Sequence, residues 1–448
     1  MKFSRLSGAA LAVAALTAAM VASAAYGITT ATGVSGQPDF KSCISDTGAD
    51  GCADVVEMAG PTGMALADDE SRVFVVSPSD DAVAVFQRDR STGALQQLKM
   101  GSNNNQGGCT NETGTLGCLD GYGLVGAHDV VSVGGNAYIA ATGTNSVATL
   151  TKDAQSGRWK ELPRNGASQV FCMSTPAGDG CDPAVGLAGA NSITAVGSYV
   201  YVGANGTIAA FHRGTKGALR QLSGVDACVG TGCASGTITG LVLDMVVSRD
   251  GKTVYAVTSS AILVFSRNRV TGALTQQQSL IPSNVSGLNG VSVDQQGTPT
   301  SVYVTGTNNA VGVFARDRSN GTLTQLGGAD GCVNASGSGG CTAAPKMASI
   351  GPLKRLVVYK TNRYVYVAGD DGVLVLSRIK SGAHGGALTT LLNATPTDPA
   401  NCVTEGGAGG CLSGQGIGGL TDIFSTGGGK HIYVSGTDFD SVVTFHQH

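Results

Sequence analysis

One strand-like segment recurs seven times along the chain, as "VFVV", "AYIA", "VYVG", "VYAV", "VYVT", "VYVA" and "IYVS". Its aromatic anchors are Phe74, Tyr138, Tyr201, Tyr255, Tyr303, Tyr366 and Tyr433. Ten to twelve residues after each anchor, a second strand ends in a bulky apolar residue: Phe86, Leu150, Phe211, Phe265, Phe314, Leu376 or Phe445. The turns between them, such as "SPSDDA" and "TGTNNA", are small and polar, which suits a hairpin. A further strand of the form "GALQQL" follows six of the seven, and an apolar strand precedes every anchor. The unit is four antiparallel strands with no helix-like segment.

Units of 48 to 67 residues, seven of them, predict an all-β, seven-bladed β-propeller. A four-stranded blade has two apolar faces and cannot cover both alone, so blades stack around an axis and a closed ring leaves no face bare. The blades are expected near 61–100, 126–165, 188–225, 241–282, 288–328, 352–395 and 418–448, forming a single domain over 25–448. The seventh unit stops after its third strand, in "SVVTFHQH". Residues 37–42, before Cys43, occupy the place of its missing fourth strand, so the N-terminal strand completes the last blade and closes the ring.

Twelve cysteines fall into six local pairs: Cys43/Cys52, Cys109/Cys118, Cys172/Cys181, Cys228/Cys233, Cys332/Cys341 and Cys402/Cys411. Five share a ten-residue frame, as in "CISDTGADGC", and each pair is expected in the junction between one unit's fourth strand and the next unit's first. Zinc commonly takes closer pairs with histidines, and redox pairs favour CxxC at a helix start; neither pattern occurs. These are disulfide staples, each contributing on the order of 3 kcal/mol in the chain-entropy model. Placed where fourth strands lead into first strands, they are expected to crown one face around the channel mouth.

Disulfides require an oxidising compartment, and the first residues supply the means of reaching one. "MKFSRLSGAALAVAALTAAMVASAAYG" has a basic start, a short apolar stretch and the small-residue site Ala22-Ser23-Ala24, so residues 1–24 read as a secretory signal and Ala25 as the mature start. The product is expected to be secreted, periplasmic or at the cell surface. No later apolar run is long enough to span a bilayer. Removing Lys2 and Arg5 takes the formal charge from −3 to −5. That balance argues against nucleic acid or anionic lipid as partner. An extracellular protein, a carbohydrate or a small molecule is the expected partner, bound by a monomer.

Catalytic signatures are sparse. There is no GxSxG, HExxH or Walker loop, and no cofactor or metal site is expected. "GYGLVG" from Gly121 and "GQGIGG" from Gly414 match GxGxxG, but each precedes a strand, so both read as blade-connecting turns. Asp80-Asp81, Asp370-Asp371 and Asp438/Asp440 lie in hairpin turns, where aspartate is ordinary and Ca²⁺ the functional alternative. The "RDR" arginines read as a solvated rim on the opposite face. His446 and His448 read as a frayed polar tail, with metal ligation together with His431 as the functional alternative.

The richest candidate is the ring where the first strands begin. There every unit differs: Thr62-Gly63, His128-Asp129, Asn191-Ser192, Leu243-Asp244, Asn289-Gly290, Lys354-Arg355 and Thr421-Asp422. His128, Asp129 and Asp244 are candidate acid–base groups, and Arg355 a candidate to polarise a carbonyl. Asn191, Asn289, Lys354 and Asp422 are candidate ligand-binding residues. The structural alternative is that these groups hydrate the channel and pair with each other. Catalysis asks for a carboxylate, a histidine and a cation within hydrogen-bond reach.

Units such as "VSRDGKTVYAVTSSAILVFSRNRVTGALTQ" resemble the lactonase-type seven-bladed propellers related to 6-phosphogluconolactonase. The "VYVTG" and "VYVAG" strands resemble equally the YVTN-type repeats of surface and secreted propellers, which act mainly in binding. The resemblance runs from about residue 37 to the C-terminus. It implies the propeller fold, and either binding or lactone ring opening at the channel mouth. The family's enzymes share a Pro-Arg-His start to one inner strand; here the nearest echoes are "GAHDV", with His128, and "GPLKRL", with Arg355. Three functions follow: a binding module acting through the cysteine-loop face, a lactonase-like hydrolase, or a structural envelope or matrix protein.

Overall fold

The computed structural model describes residues 38–98, 108–153, 158–161, 172–178, 180–233, 235–294, 300–359, 361–391 and 401–447. The expected export signal over 1–24, the start at Ala25 and His448 lie outside them.

Seven separate antiparallel sheets form a ring, the arrangement of a seven-bladed propeller. Their first strands are Gly63–Leu66, Ala127–Val133, Ser192–Val196, Asp244–Val247, Leu288–Val293, Leu353–Val358 and Leu420–Ser425. Each touches the next, and the seventh touches the first again, so they stand innermost around the axis. In blade five, Leu288–Val293 is followed outward by Ser301–Gly306 and Ala310–Arg316.

The ring closes as the sequence requires. Pro38–Ser45 pairs antiparallel with Ser441–Gln447, from Pro38 opposite Gln447 to Ser45 opposite Ser441, with a bulge between Phe40 and Ser42. One long-range pairing thus joins the first described strand to the last.

All six disulfides form as paired in the sequence: Cys43–Cys52, Cys109–Cys118, Cys172–Cys181, Cys228–Cys233, Cys332–Cys341 and Cys402–Cys411. Their placement differs from expectation and is corrected for all twelve cysteines. The first of each pair, Cys43, Cys109, Cys172, Cys228, Cys332 or Cys402, lies in the outermost strand itself, not in a junction after it. In blade one that strand is split: Leu95–Gln97 pairs with one end of Ala82–Arg88, and Cys109–Asn111 with the other. Just past Cys118, Leu119–Asp120 returns as a short strap parallel to Cys109–Asn111.

The same strap follows Cys52, Cys181, Cys341 and Cys411, pairing outside Cys43, Cys172, Cys332 and Cys402. Cys233 closes a shorter loop on Cys228, with five residues of separation instead of nine, and no parallel strand follows it among the described residues. The second cysteines are therefore held outward as well, because each is tied across a short loop to an outer-strand partner. The disulfides stand at the perimeter, three strands from the axis, and do not crown the channel mouth. An outermost strand has an open edge that invites pairing with other chains, and the strap covers it. Blade four carries no disulfide, and its outer strand, Leu274–Leu280, is unbroken.

Hydrophobic burial lies between blades. Seven apolar clusters correspond to the seven blade interfaces, from Phe74, Val83, Ala137 and Leu150 between blades one and two to Met64, Val73, Tyr433 and Val442 between blades seven and one. Polar bonds repeat at the same interfaces. Tyr201, Tyr255, Tyr303 and Tyr433 each donate their hydroxyl to a glycine carbonyl of the next blade, at Gly272, Gly321, Gly386 and Gly93. Each accepts from that blade's arginine: Arg267, Arg316, Arg378 and Arg88 in turn, at 2.6–2.8 Å. Burial pushes the Tyr255 hydroxyl up to about 12, so it keeps the proton it donates.

The first arginine of each "RDR" turn is therefore buried rather than a solvated rim; only the second, Arg90 or Arg318, is exposed. A guanidinium can enter a blade interface because a tyrosine oxygen and a carboxylate wait for it there. Arg316 meets Asp250 at 3.1 Å, and Arg378 meets Asp294 at 3.0 Å, both residues of the latter pair fully buried. The interface between blades one and two departs in concert: Phe74 lacks the hydroxyl, Lys152 stands where the arginine would, and Trp159 packs edge-on against Phe74 with centroids 4.6 Å apart.

A second repeated device went unread in the sequence. The "GALQQL" strand ends in a glutamine whose amide both accepts from and donates to the connector entering its blade. Gln97 clasps Val56, Gln221 clasps Val185, Gln276 clasps Thr237 and Gln325 clasps Ser283. In blade two the position is Glu161, which accepts from Tyr122 N–H at 2.9 Å. Burial pushes its carboxyl up to about 8, with Glu112 and Asp120 adding to the shift.

Two stability measurements follow. Tyr255→Phe removes the acceptor of Arg316 and the donor to Gly321, and should cost about 1–3 kcal/mol in urea unfolding; a loss below about 0.5 kcal/mol would match an ordinary surface change and remove the relay from the account. Glu161 has a raised folded pKa, so its contribution is complete below its ordinary 4.5 and is lost as pH rises through about 8. Glu161→Gln should flatten that decline and leave the variant more stable than the parent at pH 9, as read from melting temperature against pH.

Candidate functional site

The first strands begin together at one end of the channel, and alternation along a strand gives each one inward position there. Three of the seven are aspartates, and each does the same structural work. Asp129 accepts from Val130 N–H at 2.8 Å and from Ile193 N–H of the next blade at 2.9 Å. Asp244 accepts from Met245 and Val291, both at 2.8 Å. Asp422 accepts from Ile423 at 2.8 Å and from Met64 of blade one at 2.9 Å. Each carboxylate clips two blades at the axis.

Arg355 answers them from blade six. Its Nη1 lies 3.2 Å from Asp244 Oδ2 and donates to Asn289 O at 2.6 Å; its Nη2 donates to Leu243 O at 2.8 Å. Burial works against the guanidinium charge, but Asp244, Asp422 and Asp129 outweigh it and hold Arg355 above its ordinary value. Three carboxylates sharing one cation cannot all ionise easily. Burial, then the charge of Asp422, pushes Asp129 up to about 8, against the pull of Arg355. Asp244 and Asp422 are also raised, chiefly by burial.

The other candidates divide. His128 Nδ1 faces Asn191 O at 2.9 Å, so that nitrogen carries the proton. Burial, followed by the charge of Arg355, holds its imidazole below the usual range despite that bond. No hydrogen bond joins His128 to a carboxylate among the described residues. Asn191 donates its amide to Val242 O at 3.2 Å, and Asn289 contributes its carbonyl to Arg355. Lys354 is not brought into the cluster; its Nζ pairs with Asp370 Oδ1 at 3.2 Å in a hairpin turn. The structure thus gathers Asp129, Asp244, Asp422 and Arg355, with His128 beside them on its own backbone partner.

The remaining motifs resolve into scaffold. Gly123 and Gly416, the central glycines of the two GxGxxG matches, have φ of 72° and 69° in blade connectors. A Cβ on either would come within 3.0 Å of a disulfide sulfur, on Cys181 or Cys52. Those glycines let each connector slide beneath the next blade's staple. Turn aspartates hold connectors too: Asp80 accepts from Ala59, Asp81 from Gly126 and Asp440 from Gly60. His431 is fully buried and accepts from Arg88 Nη2 at 2.8 Å; burial, then the charge of Arg88, pushes it down to about 4.

No family model matches the chain, and no curated protein matches it in sequence. Solved structures do match in fold. A putative 6-phosphogluconolactonase from Bacteroides fragilis is 15% identical, with 79% of this chain and 93% of that one covered at a TM-score of 0.50. A periplasmic gluconolactonase from Pseudomonas aeruginosa is 17% identical over 76% and 86% of the two chains, at 0.50. Hydrazine synthase from Kuenenia stuttgartiensis is 14% identical over 87% and 96%, at 0.52. The shared property is the fold, a seven-bladed β-propeller.

The mouth cluster gives a pH signature. With a folded pKa raised to about 8, Asp129 supports the fold fully below its ordinary 3.8, and that support is lost as pH rises through about 8. Asp129→Asn keeps one accepting oxygen and carries no charge. It should be less stable than the parent at pH 5 and more stable at pH 9, the two melting curves crossing between; parallel curves would refute the shared-charge account.

Proposed function

We propose that the chain is an exported, disulfide-stapled propeller that binds a partner through the outer rim of its disulfide-bearing face. The observation that carries this reading is where apolar surface is exposed. Of the six large apolar side chains exposed among the described residues, four stand on that rim: Leu116 in a disulfide loop, and Tyr122, Val185 and Ile281 in connectors. Val225 projects from the broken outer edge of blade three, and Val270 alone occupies an opposite-face turn. An exposed apolar patch marks an interaction site, and these four side chains share one face, in three blade junctions. A groove of about 420 Å³, lined in part by Ile44, Val55, Val56, Leu95 and Leu98, adds to the rim at the closing seam. Six disulfides support an oxidising location. No helix among the described residues is long and apolar enough to cross a membrane.

A second reading has its own support. The Asp244–Arg355 pair, with Asp129 and Asp422 around it, gives a carboxylate and a cation in contact at the axis, where a lactone carbonyl could be polarised. Two structures of similar fold carry gluconolactonase names. Against it, both oxygens of each carboxylate are taken by backbone amides.

One experiment separates the two. A rim variant, Tyr122→Lys with Val185→Lys, and a mouth variant, Arg355→Met, are compared with the parent on extracytoplasmic protein fractions and on a panel of aldonolactones. The binding reading expects retention lost in the rim variant and kept in the mouth variant, with no lactone turnover. Turnover by the parent that disappears in Arg355→Met, and persists in the rim variant, would replace it with the hydrolase.

A further inference from the structure

Near-identical blades make each local departure measurable against its siblings, and two departures meet in blade five. The connector residue after the glutamine clasp is Glu57 before blade one and Asn284 before blade five. Both hold left-handed backbone, with φ of 61° and 63°. In blade one the longer Glu57 side chain is buried and accepts from Asn111 Nδ2 at 3.0 Å, filling the space beneath the disulfide loop. Asn334 occupies the position of Asn111 in blade five, but Asn284 is one methylene shorter. It turns to donate to Gly339 O at 3.0 Å instead. A Cβ on Gly339 would stand 2.9 Å from Asn284 Oδ1, so glycine is what permits this approach.

The second departure is Asn309. Its hairpin position is left-handed in blades one, two, five and seven, as Asp81, Asn145, Asn309 and Asp440. In three of these the side-chain oxygen accepts from a glycine amide of the following connector, at Gly126, Gly189 and Gly60, within 2.6–2.7 Å. Asn309 Oδ1 is buried and accepts from no donor among the described residues. The connector it would cap is reshaped by the 3-10 segment Pro345–Ile350. A buried acceptor without a partner costs about 1–3 kcal/mol, so this departure from the other blades is not neutral.

Between these residues lies an open cleft of about 300 Å³, at the lower end of the range for small-molecule sites. Its lining is amide, hydroxyl and small apolar groups, with no charged side chain. Asn308 and Asn334 are held by bonds to Ser286, Asn284, Gly337 and Ser338, so the walls are preorganised. Asn284 Oδ1 remains as an acceptor; the hydroxyls of Ser336 and Ser338 can donate. Sugar hydroxyls both give and take hydrogen bonds, and neutral amides answer both needs without favouring an ion. A peptide would ask for apolar pockets, and the cleft offers only the methyl of Ala335.

We propose that the cleft bounded by Asn284, Asn309, Asn334 and Ser336 is a binding site for a neutral carbohydrate. It is independent of the apolar rim and of the channel mouth.

The test uses saturation-transfer NMR on the full mature chain with methyl α-mannoside, methyl β-glucoside, methyl β-galactoside and N-acetylglucosamine. Glucuronate, inorganic phosphate and an acetylated Gly-Ser-Gly amide serve as the charged and peptide arms. At least one neutral sugar should show transfer at about 10 mM or below, a range chosen as roughly that of weak single-sugar binding. Asn284→Glu imports the blade-one arrangement and should abolish that signal. Ser336→Phe, at an exposed lining position, blocks the cleft without touching the connector and should do the same if the first variant fails to fold. No transfer from any neutral sugar, transfer that survives both blocking variants, or equal response to the charged or peptide probes would overturn the proposal.

Discussion

The pairing of Pro38–Ser45 with Ser441–Gln447 is the contact on which the other blade interfaces depend. Apolar burial in this chain lies between blades, in seven clusters of similar make-up. An open stack of seven blades would have six interfaces and two bare apolar faces. Closure converts those faces into the seventh cluster, where Ile44 and Val442 from the joined strands meet Met64 and Val73 of blade one. The Cys43–Cys52 disulfide staples the incoming strand to its own strap, and it packs against Val403 and Ile417 on the blade-six side. The closing strand is thus fixed on both flanks. Long-range strand pairing is slow to find because a large loop must first close. Local staples on six of the seven blades keep those outer edges from pairing wrongly in the meantime.

Closure also explains why the axis holds charge. First strands that meet around a channel cannot hydrogen-bond to one another as a sheet, so amides at their starts need other acceptors. Asp129, Asp244 and Asp422 supply them for Ile193, Val291 and Met64. Three carboxylates crowded together repel, and Arg355 offsets part of that repulsion while donating to carbonyls of blades four and five. Three of the seven ring positions thus answer one backbone need. Sequence comparison sees the variation in the ring and cannot see that need.

Much of the fold was legible because it rests on short periods. Seven anchors, seven hairpins and six cysteine frames are each contained within about a dozen residues, and the missing fourth strand pointed to the closure. The errors arose where a residue's partner sits in another blade. Arg88 and Arg316 looked like solvated turn residues because the tyrosines that bury them, Tyr433 and Tyr255, are 345 and 61 residues away. The glutamine clasps were visible as a repeated letter in "GALQQL", yet polar residues on an outer strand are ordinary, and only the connector backbone shows their use. The disulfides were paired correctly and placed too far inward, because spacing sets a partner but not a radius. At the mouth, sequence alignment found the ring of residues; which of them converge depended on side-chain reach, as Lys354 and its pairing with Asp370 show.

Repetition finally gives a way to separate structural variation from sites with room for function. Where a blade departs for structural reasons, its partner departs with it: Phe74 loses a hydroxyl, Lys152 replaces the arginine that would have met it, and Trp159 fills the space. Glu161 is a partial case, since burial keeps its carboxyl protonated into the range where it can imitate the missing amide. Asn284 and Asn309 lack such compensation. The space left by a shorter side chain stays open, and an oxygen that caps a connector in three other blades has no donor. An unmet acceptor of that kind persists in a stable ring because the other interfaces outweigh its cost. The uncompensated departure is therefore the better pointer to function in this fold, and it lies where the unstapled connector into blade five meets that blade's Cys332–Cys341 loop.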